Sequence, residues 1–584
     1  AFAATLAIVA IFLPVAFMKG VIGKFFFEFG VTISVAVALS LLEALTLAPM
    51  RCAQFLQAGE HHNLVSRFAD ASFRRLARLY QAALPACLRH RWPVILASIG
   101  LFFASIVAVG PRLRKEFVPS QDQSMFLCRL QTPVGSSIEF TDERFKQAEA
   151  FAMSRPEIRR YFGAIGGFGG GEVNTGVLFI TLKPPRERGL NQQKLMGIFR
   201  KELNKIPDTR VVIQDLSLSG LSAQRGFPIE MAIQGPDWEK LALYSKQIEE
   251  RMEESPLMVD VDTDYLEGVK EVRVVPDRKA AADRGVSVEA IAHTVNALIG
   301  GERVAKYTRA GRRYDVRVRL IPSQRTQAQD IEKLWVWNNR GEMVQLKEVV
   351  TITEKPSYLS VTRKGRERAI GLFANIAPGK SQQTALEEAR RIAKQVLPPG
   401  YHALFGGATQ TFQESFQSLI FALWLGVAVA YMVLASQYNS TLHPITVLLA
   451  LPFSVSGALV ALWLAGQSLN IYSTIGLILL MGIVKKNSIL LVDFTNRLRE
   501  QGKGAKEALM EACPIRLRPI LMTSISTIAA AVPPAMALGP GAETRIPMAI
   551  TVIGGMILST LLTLFVVPCA YSLFTHLERK KCKT

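Results

Sequence analysis

Cysteine and histidine are scarce in this chain, six and seven in 584 residues. Cys52, Cys87, Cys513, Cys569 and Cys582 lie in or beside long apolar runs, and Cys128 alone lies in the polar middle of the sequence. One thiol cannot build a disulfide framework, so the polar middle is not a disulfide-stapled scaffold. His293 and His402 are its only histidines and its methionines are scattered, which argues against a metal-conducting path of Met, His or carboxylate ligands. No phosphate cradle is present either, because GGFGGG at 166–171 is not followed by a Lys-Ser or Lys-Thr pair. Acidic residues are outnumbered, 48 against 68 basic, for a net charge of +20. The basic residues gather beside apolar runs without the aromatic interleaving of a strand-binding surface, so membrane topology explains them better than nucleic acid does. Nothing suggests covalent catalysis, a cofactor, a metal site or a nucleotide site, so an enzyme reading has little support.

What is abundant is apolar sequence: 49% of residues, with a mean hydropathy of +0.22. Runs long enough to cross a hydrocarbon core of roughly 30 Å occur at about 1–18, 30–56, 92–111, 413–436, 443–466, 470–496, 516–538 and 546–575, eight spans in all. Arg67, Arg74, Arg75, Arg78, Arg89 and Arg91 lie in one connection, and Arg497, Arg499, Lys503 and Lys506 in another. With the tail LERKKCKT they fall on one side if the spans alternate, which makes that side cytoplasmic. Parity puts residues 112–411 on the opposite, periplasmic face of a bacterial inner membrane.

The segment Ala1 to Met18 has no basic n-region and is followed by a second span, so it reads as a transmembrane helix and not a signal peptide. An internal repeat sets its place. Shifting residues 1–57 by 519 lays Pro14 on Pro533, Ala16 on Ala535, Gly20 on Gly539, Thr32 on Thr551, Ser40 on Ser559, Pro49 on Pro568 and Phe55 on Phe574, without a gap. The first two spans therefore repeat the last two. Only the second copy has a span, a soluble domain and three more spans before it, so the sequence is expected to be about half of a duplicated protein.

The periplasmic part alternates strand candidates with amphipathic helices. Strands are predicted over 124–131, 176–182, 210–214, 228–234, 259–264, 271–276, 314–320, 368–374 and 401–406, with a hairpin at 335–346. Helical periods cover 142–153, 192–203, 238–254, 288–299 and 381–396. That interleaving predicts several small α+β sandwiches.

Charges inside a membrane are costly and are candidates for function. The span 470–496 carries GIVKKNSILLVDF, and Lys486 lies about 16 Å before Arg497 at 1.5 Å per residue, near the bilayer midplane. Lys486 and Asp493 are seven apart and share a helix face, whereas Lys485 is turned roughly 80–100° away. Lys486 is thus the better candidate for a buried ion partner. In the next span, IRLRPILMTS places Arg516 and Thr523 on one face and turns Arg518 toward headgroups. Asp493 could instead pair with Arg497 at the interface. Glu43 is a third embedded charge, either functional or a neutral, hydrogen-bonded carboxylic acid.

GIVKKNSILLVDF, RLRPILMTS, the Pro-containing repeat and the ASQYNS turn together resemble the C-terminal half of a resistance-nodulation-division (RND) exporter, nearest the hydrophobe and amphiphile drug-efflux permeases. The resemblance runs over essentially the whole chain. It implies a helical bundle with eight of twelve expected spans present, bearing a periplasmic α+β porter and docking domain. It further implies a proton relay to which this chain gives Lys486, Arg516 and Thr523, with Asp493 as a lesser candidate, and to which two adjacent aspartates of the N-terminal half are partners. No DD pair occurs in any span here. A Lys ammonium holds two close carboxylates ionised, and their protonation releases it.

The same resemblance divides the chain into two spans at 1–56, a cytoplasmic connector at 57–91, a span at 92–111 and a porter subdomain at 112–225. A second porter subdomain would comprise 226–268 with 357–411, a docking subdomain would be inserted at 269–356, five spans would occupy 412–575, and a basic tail would follow at 576–584. Within the first porter unit the Gly-rich segment AIGGFGGGEVNTG would be a switch loop beside the drug pocket. Gly166, Gly167, Phe168, Gly169, Gly170 and Gly171 would form it, with Tyr161 and Phe179 lining the pocket. Glycine permits the backbone changes such a loop needs. The implied partners are a periplasmic membrane-fusion adaptor, an outer-membrane channel and two further copies in a homotrimer. The implied activity is proton-driven export of drugs or other amphiphiles. A heavy-metal RND exporter and an inactive truncated remnant are the alternatives.

Overall fold

A computed structural model describes all residues except 1–4, 7, 10, 13–15, 17–19, 56–63, 167–171, 217–225, 266–267, 358–360, 537–540 and 582–584. Seven helices among the described residues are long and apolar enough to cross a membrane. The eighth expected span, 1–18, lies largely outside the described residues. The helices open with α1 (Gly20–Leu45), α2 (Leu47–Phe55), α3 (Leu64–Arg89) and α4 (Arg91–Val109). Helix α3 is amphipathic: Tyr80, Leu84 and Leu88 are buried against the bundle, while Arg74, Arg75 and Arg78 are exposed.

The first porter unit follows, with β1 (Met125–Gln131), α5 (Ile138–Met153), β2 (Ile158–Ile165), β3 (Thr175–Leu182), α6 (Gln192–Leu203) and β4 (Arg210–Asp215). Its antiparallel sheet runs β2-β3-β1-β4. Alternate residues of β3 are buried, the period-two pattern of a half-covered strand, and Leu178 and Ile180 join Phe126, Phe145 and Phe199 in one core. Both helices start where a side chain accepts an otherwise unpaired amide: Ser137 from Phe140 N, and Asn191 from Lys194 N.

The second unit contains β5 (Ile229–Gln234), α7 (Trp238–Glu253) and β6 (Met258–Thr263). An insertion of β7 (Val269–Pro276), α8 (Arg278–Asp283), α9 (Val288–Val295), β8 (Glu302–Arg309), β9 (Arg312–Val318), β10 (Trp335–Trp337), β11 (Met343–Gln345) and β12 (Val350–Ser357) comes next. The unit resumes with β13 (Arg363–Lys364), β14 (Glu367–Ile376), α10 (Gln382–Val396) and β15 (His402–Phe405). Its sheet runs β13-β14-β5-β15 with β6 on β14, and α7 and α10 cover one face. The insertion leaves and returns along the antiparallel ribbon β7–β12.

Strands β2, β8 and β12 were not expected from the sequence. Charged residues interrupt their apolar pattern, as in IRRYFGAI and ERVAKYTR, which suits edge strands and exposed hairpins. The helix expected over 288–299 stops at Val295 and passes into a π-turn at Asn296–Gly301, where Gly301 takes φ +90°.

The chain returns to the bundle with α11 (Gly407–Tyr438), α12 (His443–Leu448), α13 (Ala450–Leu464), α14 (Ile471–Glu500), α15 (Ala505–Ala535) and α16 (Ala542–Lys581). Helices α13 and α16 cross closely because glycine meets glycine: a Cβ on Gly457 would stand 2.4 Å from Gly554 O. Such small-residue seams are how apolar helices gain contact in lipid.

Candidate functional site

Helix α14 starts at Asn470, whose Oδ1 accepts from Tyr472 N and Ser473 N at 3.0 Å each. Lys485 and Lys486 occupy its middle. Burial is the reverse of the sequence expectation: Lys485 is fully buried and Lys486 is exposed. Lys485, Ser488, Ile489 and Val492 follow the i, i+3, i+4, i+7 spacing of an inward stripe, and all are buried. That stripe was readable in the sequence, but no helical pattern says which stripe faces the bundle.

Beside Lys486, Asn487 bridges to α15. Its Oδ1 accepts from Thr523 Oγ1 at 3.4 Å and its Nδ2 donates to Ser524 Oγ at 3.3 Å. Ser524 Oγ lies 2.9 Å from Thr560 Oγ1 of α16, so three helices share one buried polar seam. The Arg516 guanidinium stacks 4.4 Å over the Phe494 ring of α14. Thus Thr523 and Arg516 are both held against the helix that carries Lys486, the first by hydrogen bonding and the second by its π-face. Asp493 pairs with Arg497 at 3.2 Å, one turn along the same helix. Glu43 faces Arg51 at 3.8 Å with both side chains largely exposed. Asn487 and Ser524 are not among the relay residues expected from the sequence, although both lie in or next to the KKN and LMTS motifs.

In the first porter unit, Tyr161 pairs with Ile180 and packs against the core on the helix-covered face of the sheet. Phe179 pairs with Phe162 on the opposite face, their rings 6.5 Å apart. The structure therefore separates Tyr161 from Phe179 and brings the exposed Phe162 to Phe179 instead. A count of strand period around Tyr161 would have found this, had β2 been recognised as a strand. Gly166 takes φ +76° and its N–H donates to Thr175 O at 2.7 Å, closing the base of the loop. Gly167, Phe168, Gly169, Gly170 and Gly171 lie outside the described residues.

Arg129 and Val212, on the same face of the sheet as Phe179, contact the second porter unit. Arginines of the first unit meet carboxylates of the second across this boundary. Arg200 makes a bidentate pair with Asp260 at 2.7 and 2.5 Å, Arg210 reaches Glu249 and Glu253 at 2.9 and 2.7 Å, and Arg129 lies 3.5 Å from Asp262. Burial pushes the Glu249 carboxyl up against the pull of Arg210. A cleft of about 410 Å³ opens beside these pairs, lined by Gln131, Arg210, Glu249 and Tyr265. In the outer domain His293 pairs with Glu302 and His402 with Glu367, and among the described residues no group of three His, Cys, Asp or Glu side chains converges to hold a metal ion.

A model of the AcrB/AcrD/AcrF family matches residues 1–575. The chain belongs to that family, the RND permeases. The multidrug resistance protein MdtC of Escherichia coli O81 (strain ED1a) is 32% identical over 98% of this chain, and MdtC of Shigella flexneri is 31% identical over the same share. The chain spans 56% of the length of both relatives. A solved structure described as a heavy metal efflux pump superposes with a TM-score of 0.87 at 25% identity, over 98% of this chain and 58% of the other. The RND fold, a helical bundle under a sheet-rich porter domain, and the multi-pass inner-membrane location follow from family and fold together.

Proposed function

We propose that this chain is the part of a proton-driven RND exporter that carries the basic side of the proton relay and one half of the porter. Its cargo is organic drugs or other amphiphiles, passed on through a periplasmic adaptor and an outer-membrane channel, with the transporter a homotrimer. The observation that carries this reading is the seam around Lys486. An exposed ammonium sits in the middle of a 30-residue helix, next to Asn487, which holds Thr523, and about two turns before Phe494, which holds Arg516. At that depth an ammonium requires carboxylate partners, and the family's paired aspartates are of the right chemistry. Protonating them would release Lys486 and change the charge pairing that biases the bundle's conformation.

Amphiphile export is supported by the MdtC relatives and by the aromatic pair Phe162 and Phe179 on the sheet face toward the charged cleft. The heavy-metal reading has the fold of the solved neighbour in its favour but no converging donor set among the described residues. The test is drug efflux in cells carrying the full-length transporter, with Lys486→Ala as the variant. Efflux driven by the proton gradient should vanish while expression persists. Normal efflux in Lys486→Ala refutes the relay.

A further inference from the structure

Between α4 and β1, the segment Arg114 to Phe117 is hydrogen-bonded along both of its edges, with Lys115 in an isolated parallel bridge to Leu469. On one edge Leu469 N donates to Arg114 O at 2.8 Å, Glu116 N to Leu469 O at 3.2 Å and Ile471 N to Phe117 O at 3.2 Å. That edge is the N-terminal cap of α14. On the other edge Lys115 N donates to Ser381 Oγ at 3.2 Å, Gln383 N to Lys115 O at 3.2 Å and Phe117 N to Gln382 Oε1 at 2.8 Å. That edge is the start of α10, whose Ala385, Ala389 and Ile392 lie in the core of the second porter unit. Ser381 occupies the N-cap position of α10 yet makes no cap bond to its own helix; its hydroxyl serves Lys115 instead. Gln382, buried, also donates to Pro228 O at 2.9 Å and so ties the clasp to the lead-in of β5.

The side chain that locks the membrane edge is Glu116. Its Oε1 accepts from Ser468 Oγ, and Ser468 Oγ accepts from Asn470 Nδ2 at 2.9 Å. Asn470 in turn caps α14. Ser468 and Asn470 are buried, and Glu116 is half-buried between two cavities of about 330 and 610 Å³. A carboxylate placed there, with one hydroxyl as its bridge to the membrane helix, has no role in the relay around Lys486, which lies about 22 Å further along α14 at 1.5 Å per residue.

We propose that Glu116 is a positioning residue that makes the head of α14 and the head of α10 move as one body, so that a shift of α14 started at Lys486 reaches the second porter unit. The proposal rests on the relay reading above. Its chemistry is a hydrogen-bond acceptor for Ser468, and it needs no charge on the carboxyl.

The test uses the full-length transporter in proteoliposomes with an imposed proton gradient. Glu116→Ala should lower turnover about tenfold with KM for the drug unchanged. Glu116→Gln keeps a carbonyl acceptor for Ser468 and should retain most of the turnover. Ser468→Ala removes the same contact from the other side and should match Glu116→Ala, which guards against a folding defect in either variant. Lys115 and Leu469 are paired neighbours in the clasp. A disulfide between Lys115→Cys and Leu469→Cys, placed in Glu116→Ala, should restore transport by replacing the hydrogen bonds with a covalent tie. Normal turnover in Glu116→Ala, equal loss in Glu116→Gln, or a crosslink that stops transport overturns the proposal. Lys486→Ala measured in parallel separates the two readings: if it transports normally the relay fails, and if it alone is inactive only the clasp fails.

Discussion

The crossing of α13 and α16 makes a prediction whose size can be worked from distances. A Cβ built on Gly554 would lie 2.1 Å from Ala461 Cβ and 2.6 Å from Gly457 O. Non-bonded carbons reach their optimum at roughly 3.5–4.0 Å, so Gly554→Ala must part the helices by about 1.4 Å or more. Neither obstacle can rotate away, one being a Cβ and the other backbone. The next residue is as tightly placed, because a Cβ on Gly555 would meet Ser454 O of α13 and Leu480 of the neighbouring α14. Overpacking of a close-packed site costs about 1–3 kcal/mol, and the backbone contact puts this case toward the upper end. The assay is thermal or SDS-induced unfolding of the purified chain in detergent. Ala461→Gly in the same molecule removes the nearer clash and leaves the carbonyl, so it should recover part of the loss. A Gly554→Ala variant as stable as the parent, or a double variant worse than the sum of its singles, would refute this account of the seam.

Phe145 is buried beneath the glycine pair Gly163 and Gly176, where its ring fills the space their missing side chains leave. Phe145→Ala should destabilise the first porter unit by about 3–5 kcal/mol, read as a shift in its denaturation midpoint. Burial raises the Glu116 carboxyl above its ordinary range, against the pull of Ser468 and Arg114. A carboxyl with a raised folded pKa binds more protons folded than unfolded, so its contribution to stability is fullest in acid and is lost as pH rises through the raised value. Melting curves between the ordinary carboxyl value and neutrality should therefore fall with pH in the parent and flatten in Glu116→Gln. An unchanged slope would mean that the carboxyl titrates normally.

Much of this molecule was legible without coordinates. Apolar run length set the helices α4 and α11 to α16, because a lipid-crossing helix needs about 20 apolar residues and little else does. Period two in TGVLFITL and period 3.6 in QQKLMGIFRKEL set the porter strands and helices, since each pattern buries one face only in its own conformation. The motifs KKN and RLRPILMTS drew attention to Lys486, Arg516 and Thr523. What a pattern cannot carry is direction. Lys485 and Lys486 lie on stripes that differ by one residue, and only packing against the neighbouring helices decided that Lys485 turns inward. Tyr161 and Phe179 look alike as aromatic residues on either side of the Gly-rich segment, but the register of β2 on β3 puts them on opposite faces of one sheet. The clasp at Glu116 was invisible for a further reason: Ser381 lies 266 residues from Lys115 and Ser468 lies 352 residues from Glu116, and contacts of that separation exist only once the porter and the bundle have docked.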